Sequence, residues 1–399
     1  MSAGGGVLAP SRTTPGLPVL RWSSRAHTIG DIEKELGRIW SSISLTAPGP
    51  EGEPERRVAA RSSVMNLVVV ASRGEIGERV ASIVEGLTGR HPSRTLIASP
   101  ADPDGPAWLD AQVQAHCVLP SDTAPETCSE LVYVTCGGET GQHIAGIIAP
   151  LLIHDLPVTI WWPNEPAFES RTSRDLLTMA DRILVDGSGW SGDGLDRLAV
   201  MAALPAAYEV EVADFALLRQ ARWREAIAST FDRPNVLPFL RHLDRIEVRY
   251  AAADGVPGMA NVVRPLYHVA WLASRLGMAV VSPVRAGVGA WSGYDALLRD
   301  GRRRVPVFLR PMESSAPRGT TLAVELSARR GHAELVVEVT AYADGVVVQA
   351  ELDDERLPAR RFLAPRRREA DLLAQTIDSA GRDSITAEVL AMAAQLLAR

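Results

Sequence analysis

Apolar residues are distributed in two different ways along this chain. Between Val64 and Leu204, short and nearly continuous apolar runs alternate with stretches in which apolar residues recur every three or four positions. Val64 to Ala71 (VMNLVVVA) is short, rich in β-branched residues and almost without polar positions, which predicts a buried strand. After it, Ile76, Val80, Ile83, Val84 and Leu87 mark one face of a helix that Gly89 ends, and Arg94 to Ala98 resumes as a strand. That is a strand, helix, strand unit long enough to cross over between parallel neighbours. Further strands are predicted at Trp108 to Leu119, Ser129 to Thr135, Pro157 to Trp162 and Arg182 to Asp186. Helices are predicted at Gln142 to Leu152, Arg171 to Ala180 and Gly194 to Ala203. The repetition implies a mainly parallel sheet with both faces covered.

Beyond Gly277 the runs become short and alternating: Val305 to Arg310, Thr321 to Leu326, Glu334 to Thr340 and Val346 to Glu351. Ala343, Asp344 and Gly345 separate the last two closely enough for a hairpin. Asp214 to Thr230 predicts one amphipathic helix capped by Asp214, followed by a strand at Ile246 to Ala251. Val262 to Leu276 predicts a helix with Pro265 in its first turn, and two helices, Glu369 to Ser379 and Ile385 to Ala398, close the chain. At the other end, residues 1–25 read as a flexible leader that lacks the unbroken apolar segment of a signal peptide. Thr28 to Ser41 reads as an amphipathic helix, Ala47 to Glu55 as a linker by composition, and Arg56 to Arg61 as a short helix. The expected fold class is α/β: a doubly wound, mainly parallel sheet domain, then a second α+β domain with an antiparallel sheet. The expected boundaries are 1–55 for the leader, helix and linker, 56–212 for the first domain and 213–399 for the second.

Composition narrows the function classes. Acidic residues (48) outnumber basic ones (42), a formal net charge of -6, which gives no reason to expect nucleic acid or an anionic membrane as partner. The three cysteines, Cys117, Cys128 and Cys136, are too few for a secreted framework and read as buried thiols in a reducing compartment. No apolar stretch approaches membrane-spanning length, so a soluble cytoplasmic protein is expected.

The most conspicuous stretch is LLIHDLPVTIWWPNEP, Leu151 to Pro166. In a doubly wound sheet the carboxyl ends of the strands form the ligand or partner crevice, so Trp161 and Trp162 become candidates for exposed interface aromatics. A tryptophan pair is equally ordinary core material. His91 and Arg94, in RHPSR, are a second candidate: an arginine at a strand start can hold its fork toward a carboxylate or phosphate, or tie helix to strand by a salt bridge. Arg219, Trp223 and Arg224 are the third, at i, i+4 and i+5 of one helix, which sets a guanidinium beside an indole.

Other chemistries have less support. Ala71-Ser72-Arg73-Gly74-Glu75-Ile76-Gly77 lacks the glycine spacing of a dinucleotide fingerprint, and no phosphate-binding lysine loop is present. No cofactor is therefore expected. Cys128, Cys136 and His143 lack the tight pairing of a zinc site, so no metal is expected. Gly187-Ser188-Gly189 misses the nucleophile-elbow spacing, which weakens any hydrolytic arrangement with Asp186 and His154. The arginine triplets at 302–304 and 366–368 read as solvated faces or acidic-partner contacts.

Taken together, several motifs resemble the glucose-6-phosphate dehydrogenase assembly protein family, OpcA. They are NLVVV (Asn66 to Val70), RHPSR (Arg90 to Arg94), Cys128-Ser129-Glu130, DLPVTIWWPNEP (Asp155 to Pro166), ADRILVDGS (Ala180 to Ser188), DFALLRQARWREAIASTFD (Asp214 to Asp232) and AWLASRLG (Ala270 to Gly277). The chain departs from the pattern at Phe215 to Leu218, where the family usually carries an Asn-Trp pair, and at Asp186-Gly187-Ser188, where Asp-Ser is commoner. The resemblance implies a Rossmann-like first domain and a non-catalytic protein that binds glucose-6-phosphate dehydrogenase and favours its active oligomer. In it, Trp161 and Trp162 match the double-Trp motif, and Arg219, Trp223 and Arg224 the tryptophan-arginine helix. The competing expectation is a sugar-phosphate-binding enzyme or sensor using the crevice near Arg94, with Trp161 stacked on the ligand.

Overall fold

The centre of the first sheet is built from strands buried on both faces, as the unbroken apolar runs of Asn66–Val70, Arg94–Pro100, Val158–Trp161 and Arg182–Val185 require. In chain order the strands of the sheet are β1 (Val19–Ala26), β2 (Asn66–Val70), β3 (Arg94–Pro100), β4 (Trp108–Val118), β5 (Thr127–Gly137), β6 (Val158–Trp161), β7 (Arg182–Val185) and β8 (Glu211–Asp214). The computed structural model describes residues 19–42, 63–118, 127–252, 260–288, 293–381 and 383–398, with short strands at 6–7, 44–48, 54–58 and 60–61. Leu119, the last residue of the strand expected from Trp108, lies outside the described residues.

Spatial order in this sheet is β1-β4-β5-β3-β2-β6-β7-β8. The central pairs β5·β3, β3·β2, β2·β6 and β6·β7 are parallel, whereas β1·β4 and β4·β5 are antiparallel. Helix α1 (Ile29–Ser42) buries Ile32, Leu36 and Ile39, the stripe its periodicity predicts. Helix α2 (Gly74–Glu85) buries Val80 and Val84 as the crossover between β2 and β3.

Two expectations at the amino end are corrected. Val19–Ala26 is a paired strand rather than leader; Trp22, Ser24 and Ala26 are buried against β4, a period-two pattern masked by its polar composition. Pro54–Val58 pairs antiparallel with Ser44–Pro48, so the residues expected to start a helix at Arg56 are strand, and the ends of the expected linker are paired.

The second sheet contains β9 (Leu243–Ala251), β10 (Ala279–Ala286), β11 (Tyr294–Asp300), β12 (Arg303–Met312), β13 (Thr321–Arg330), β14 (Ala333–Tyr342), β15 (Gly345–Leu352) and β16 (Arg360–Leu363). Their order is β10-β11-β12-β9-β13-β14-β15, with β16 on β15. Only β9·β12 is parallel among these pairs. One face buries Ile246, Val248, Val307, Leu309, Val324, Leu326, Val337 and Val339. Helices α3 (Ala221–Thr230), α4 (Val263–Leu276) and α5 (Ser384–Leu397) belong to this part of the chain. Pro265 sits in the first turn of α4, where its missing N–H costs nothing, and Gly277 ends the helix with φ +66°.

The chain divides into two compact units. The first comprises 1–185, 208–211 and 369–379; the second comprises 186–207, 212–368 and 380–399. The expected single helix over Asp214 to Thr230 is instead two, Phe215–Leu218 and α3, because the chain turns at Gln220, whose side chain donates to Arg264 O at 2.7 Å.

Candidate functional site

The tryptophan pair lies in the interior. Trp161 ends β6 with 0% exposure and Trp162 follows with 2%. The Trp162 N–H donates to Leu184 O at 2.9 Å, continuing the parallel ladder, and its ring meets Phe168 edge-on at 5.8 Å. The expectation of exposed aromatics at the strand end is therefore corrected. The ladder continues through Trp162, and Phe168 packs against its indole.

Arg94 is also occupied. Its Nε donates to Glu130 Oε2 at 2.5 Å and its Nη1 to Leu151 O at 2.9 Å, in a site where Glu130 has no exposure. Trp40 Nε1 donates to the other oxygen of Glu130 at 2.5 Å. Arg94 and Glu130 are register partners on β3 and β5, so the ion pair is a cross-strand clamp rather than the expected tie from helix to strand. His91 Nε2 stands 3.3 Å from Asp378, and burial pulls the imidazole pKa down. Arg94 is committed to Glu130 and Leu151 O, and Trp161 is buried with no face left for stacking.

The densest polar chemistry is in the second unit, around the turn after β7. Asp186 accepts from Arg219 Nη1 at 2.6 Å and from the Ser188 hydroxyl at 2.5 Å, while Arg264 Nη2 donates to the same hydroxyl at 3.0 Å. Beneath it Asp214 is fully buried and accepts from the Gly187 N–H (2.9 Å), the Ala216 N–H (2.7 Å) and the Tyr267 hydroxyl (2.7 Å). Burial, with the nearby Asp186 charge, still raises the Asp214 carboxyl to about 6. Asn261 secures the turn by donating to Gly187 O and Trp190 O. A Cβ at residue 187 would come within 2.5 Å of Asp214, so a glycine here lets this turn sit on a buried carboxylate.

Arg219, Trp223 and Arg224 are brought together here, but not as a free guanidinium over an indole. Arg219 is paired with Asp186, and Arg224 Nη1 donates to Leu217 O at 2.8 Å. Trp223 is half-buried with its ring 5.3 Å from that of His268. Burial, then the Arg224 and Arg264 charges, depress the His268 imidazole to about 3. Sequence reading missed Asn261, Arg264, Tyr267 and His268. The available signal was the i, i+4 spacing of Arg264 and His268 at the start of an apolar helix, weak because α4 also reads as simple core.

In this cluster the Ser188 hydroxyl donates to Asp186 and accepts from Arg219 and Arg264. At the turn after β2, residues 72–75 are exposed. The Tyr133 ring packs where a side chain at Gly77 would stand, 2.5 Å from its Cβ position, and Asn164 Oδ1 accepts from the Ser72 N–H at 3.1 Å. Among the described residues no group of three or more His, Cys, Asp or Glu is placed to hold a metal ion. The cysteines need a correction: Cys117 and Cys128, register partners on β4 and β5, form a disulfide rather than two thiols. Cys136 is free and buried, and burial pushes its thiol up to about 11. No helix among the described residues is long and apolar enough to cross a membrane.

Comparison with known proteins places this geometry in a family. Residues 84–202 match the model of the glucose-6-phosphate dehydrogenase subunit N-terminal domain, and residues 210–390 that of its C-terminal domain. An OxPP cycle protein OpcA from Synechocystis is 29% identical over 206 residues, covering 51% of this chain and 41% of that protein. Its counterpart from Nostoc punctiforme is 28% identical over 203 residues, 50% of this chain and 41% of that protein. Each match thus spans less than half the length of the relative. Among solved structures, a 3-ketoreductase from Actinomadura kijaniata has a TM-score of 0.43 at 14% identity, covering 84% of this chain and 95% of that one. The WlbA dehydrogenase from Thermus thermophilus has 0.39 at 12%, with 84% and 95% covered. With consecutive domain models matching residues 84–202 and 210–390, the chain belongs to the glucose-6-phosphate dehydrogenase assembly protein (OpcA) family.

Proposed function

We propose that this protein is a non-catalytic cytoplasmic partner of glucose-6-phosphate dehydrogenase that promotes its assembly and activates it allosterically. The observation that carries the reading is the pair of consecutive matches to domains described as belonging to a glucose-6-phosphate dehydrogenase subunit, across 84–202 and 210–390. Two contacts at the turn after β2 support it. In a doubly wound fold the first strand-to-helix turn admits a pyrophosphate to backbone N–H groups, whereas here Asn164 takes the Ser72 N–H and Tyr133 packs on Gly77. A protein that binds the competent state of the enzyme more tightly than the other shifts it toward activity without turning over anything itself.

Within the candidate site, Trp223 is the residue proposed to meet the partner. It is the half-exposed aromatic of α3, backed by His268, while Arg219 and Arg224 are committed to Asp186 and Leu217 O and hold the helix in place. The test is co-elution of the purified chain with the dehydrogenase, with mass determination. A complex heavier than the enzyme alone is expected, weakened at least tenfold by Trp223→Ala with the melting temperature little changed. Separate elution at all ratios overturns the proposal.

A further inference from the structure

Among the described residues, α3, α4 and α5 pack against the second sheet, one face of which is apolar, and the charges on the other face are sorted by sign. Along the six strands β11, β12, β9, β13, β14 and β15, outward residues alternate with the buried aliphatic ones. On β11, β12 and β9 the outward charges are Arg299, Arg304, Arg310, Arg245 and Arg249 against Asp295 and Glu247. On β13, β14 and β15 they are Glu325, Glu334, Glu338 and Glu351 against Arg329. Over these six strands one half is thus net basic and the adjoining half net acidic, with Arg361 of β16 at the outer edge of the acidic half.

The sorting brings like charges directly opposite one another. Arg299 is the register partner of Arg304, and Arg249 of Arg310; Glu247 faces Glu325, which in turn faces Glu338. Such pairs disfavour the sheet, and a solvated face avoids them by interspersing signs. Arg249 relieves part of the acidic row by reaching Glu325 and Glu338, and Asp295 relieves Arg310. Arg299 and Arg304 are exposed side by side. Between the charges lie half-buried apolar groups: Leu297, Pro306 and Phe308 on the basic half, Val336 and Val347 on the acidic half. Phe308 is flanked by the guanidinium groups of Arg245 and Arg310, 4.6 and 4.5 Å from its ring centre.

A surface with a basic half beside an acidic half is complementary to itself under a two-fold rotation. We infer that this open sheet face is the interface of a homodimer, in which the β11, β12, β9 half of one copy covers the β13, β14, β15 half of the other. An axis between β9 and β13 brings Arg299 and Arg304 of one chain toward the acidic strands of its mate and buries both apolar ridges, as aligned sheet packing does. The inference uses only the second unit and is independent of any dehydrogenase.

Two full-length variants test it. The first carries Arg299→Glu and Arg304→Glu, making the basic half acidic; the second carries Glu334→Arg and Glu338→Arg, making the acidic half basic. Sedimentation should give a dimer for the unaltered chain, a dissociation constant raised at least tenfold for each variant alone, and restored dimer when the two are mixed. The mixed pair is complementary on both halves, so a variant that had merely misfolded would not recover. A monomeric unaltered chain at every concentration overturns the inference. So does a dimer that both reversals leave intact, or a pair of weakened variants that mixing does not restore.

Discussion

The sheet around β6 turns its polar side chains inward and satisfies them there, whereas the sheet around β9 sends its polar side chains outward on one face. In the first, Arg94, Glu130, Asn66 and Trp161 are all buried, and the arginine, glutamate and asparagine are spent on backbone carbonyls or on each other. In the second, Arg249, Glu325 and Glu338 pair across strands within reach of water. The difference follows from coverage. A parallel sheet wrapped on both faces cannot leave a charge unpartnered, so its distinctive motifs serve the fold; a sheet wrapped on one face keeps charges available for recognition.

Substitutions on the doubly covered side should therefore have the largest effects, and on stability. Trp161→Ala is expected to cost roughly 3–5 kcal/mol and to lower the denaturation midpoint accordingly. Glu130→Ala, which strands Arg94 without a countercharge, should cost about 3 kcal/mol or more. The double replacement Arg94→Met with Glu130→Leu should recover much of that loss, because no buried charge is left; a loss equal to the sum of the two single effects would contradict the clamp.

Acid stability sharpens the comparison next. His268, held at about 3, contributes stability that is fully present above the ordinary histidine pKa of 6.5 and is lost as pH falls toward 3. Asp214, raised to about 6 from 3.8, acts oppositely: its contribution is present below 3.8 and lost as pH rises through 6. Between about pH 4 and 6 the two oppose each other. His268→Leu should therefore flatten the acid loss of stability by up to about 1.4 kcal/mol per pH unit, and Asp214→Asn should steepen it. Denaturant midpoints measured from pH 4 to 7 check both signs. The smallest effect is expected at Arg222, whose exposed partner is Glu225 on the same helix: Arg222→Ala should change stability by roughly 0.5 kcal/mol or less.

What the sequence made legible follows the same physics. The strands NLVVV, RTLIASP and RILV announce themselves because burial on both faces demands unbroken apolar runs, and β13 to β15 because burial on one face demands alternation. The strand Val19–Ala26 was hidden because its buried positions include Arg21 and Ser24, and β10 because its exposure hardly alternates. The site was less legible than the fold. A tryptophan pair has the same spelling in a core and at an interface, and only the return of Phe168 over Trp162 distinguishes them. The cluster at Asp186 unites residues from 186 to 268, and no local spacing encodes that convergence. The Cys117–Cys128 bond depended on strand register, which spacing alone does not fix.

The central claim is that this chain alters another protein's catalysis without performing any of its own. Glucose-6-phosphate dehydrogenase rates measured across substrate concentration, with and without an equimolar amount of the purified chain, test it most directly. The account predicts a higher rate at low substrate concentration with the chain present, and no turnover by the chain alone. Superimposable rate curves, or sugar-phosphate oxidation by the isolated chain, would contradict it.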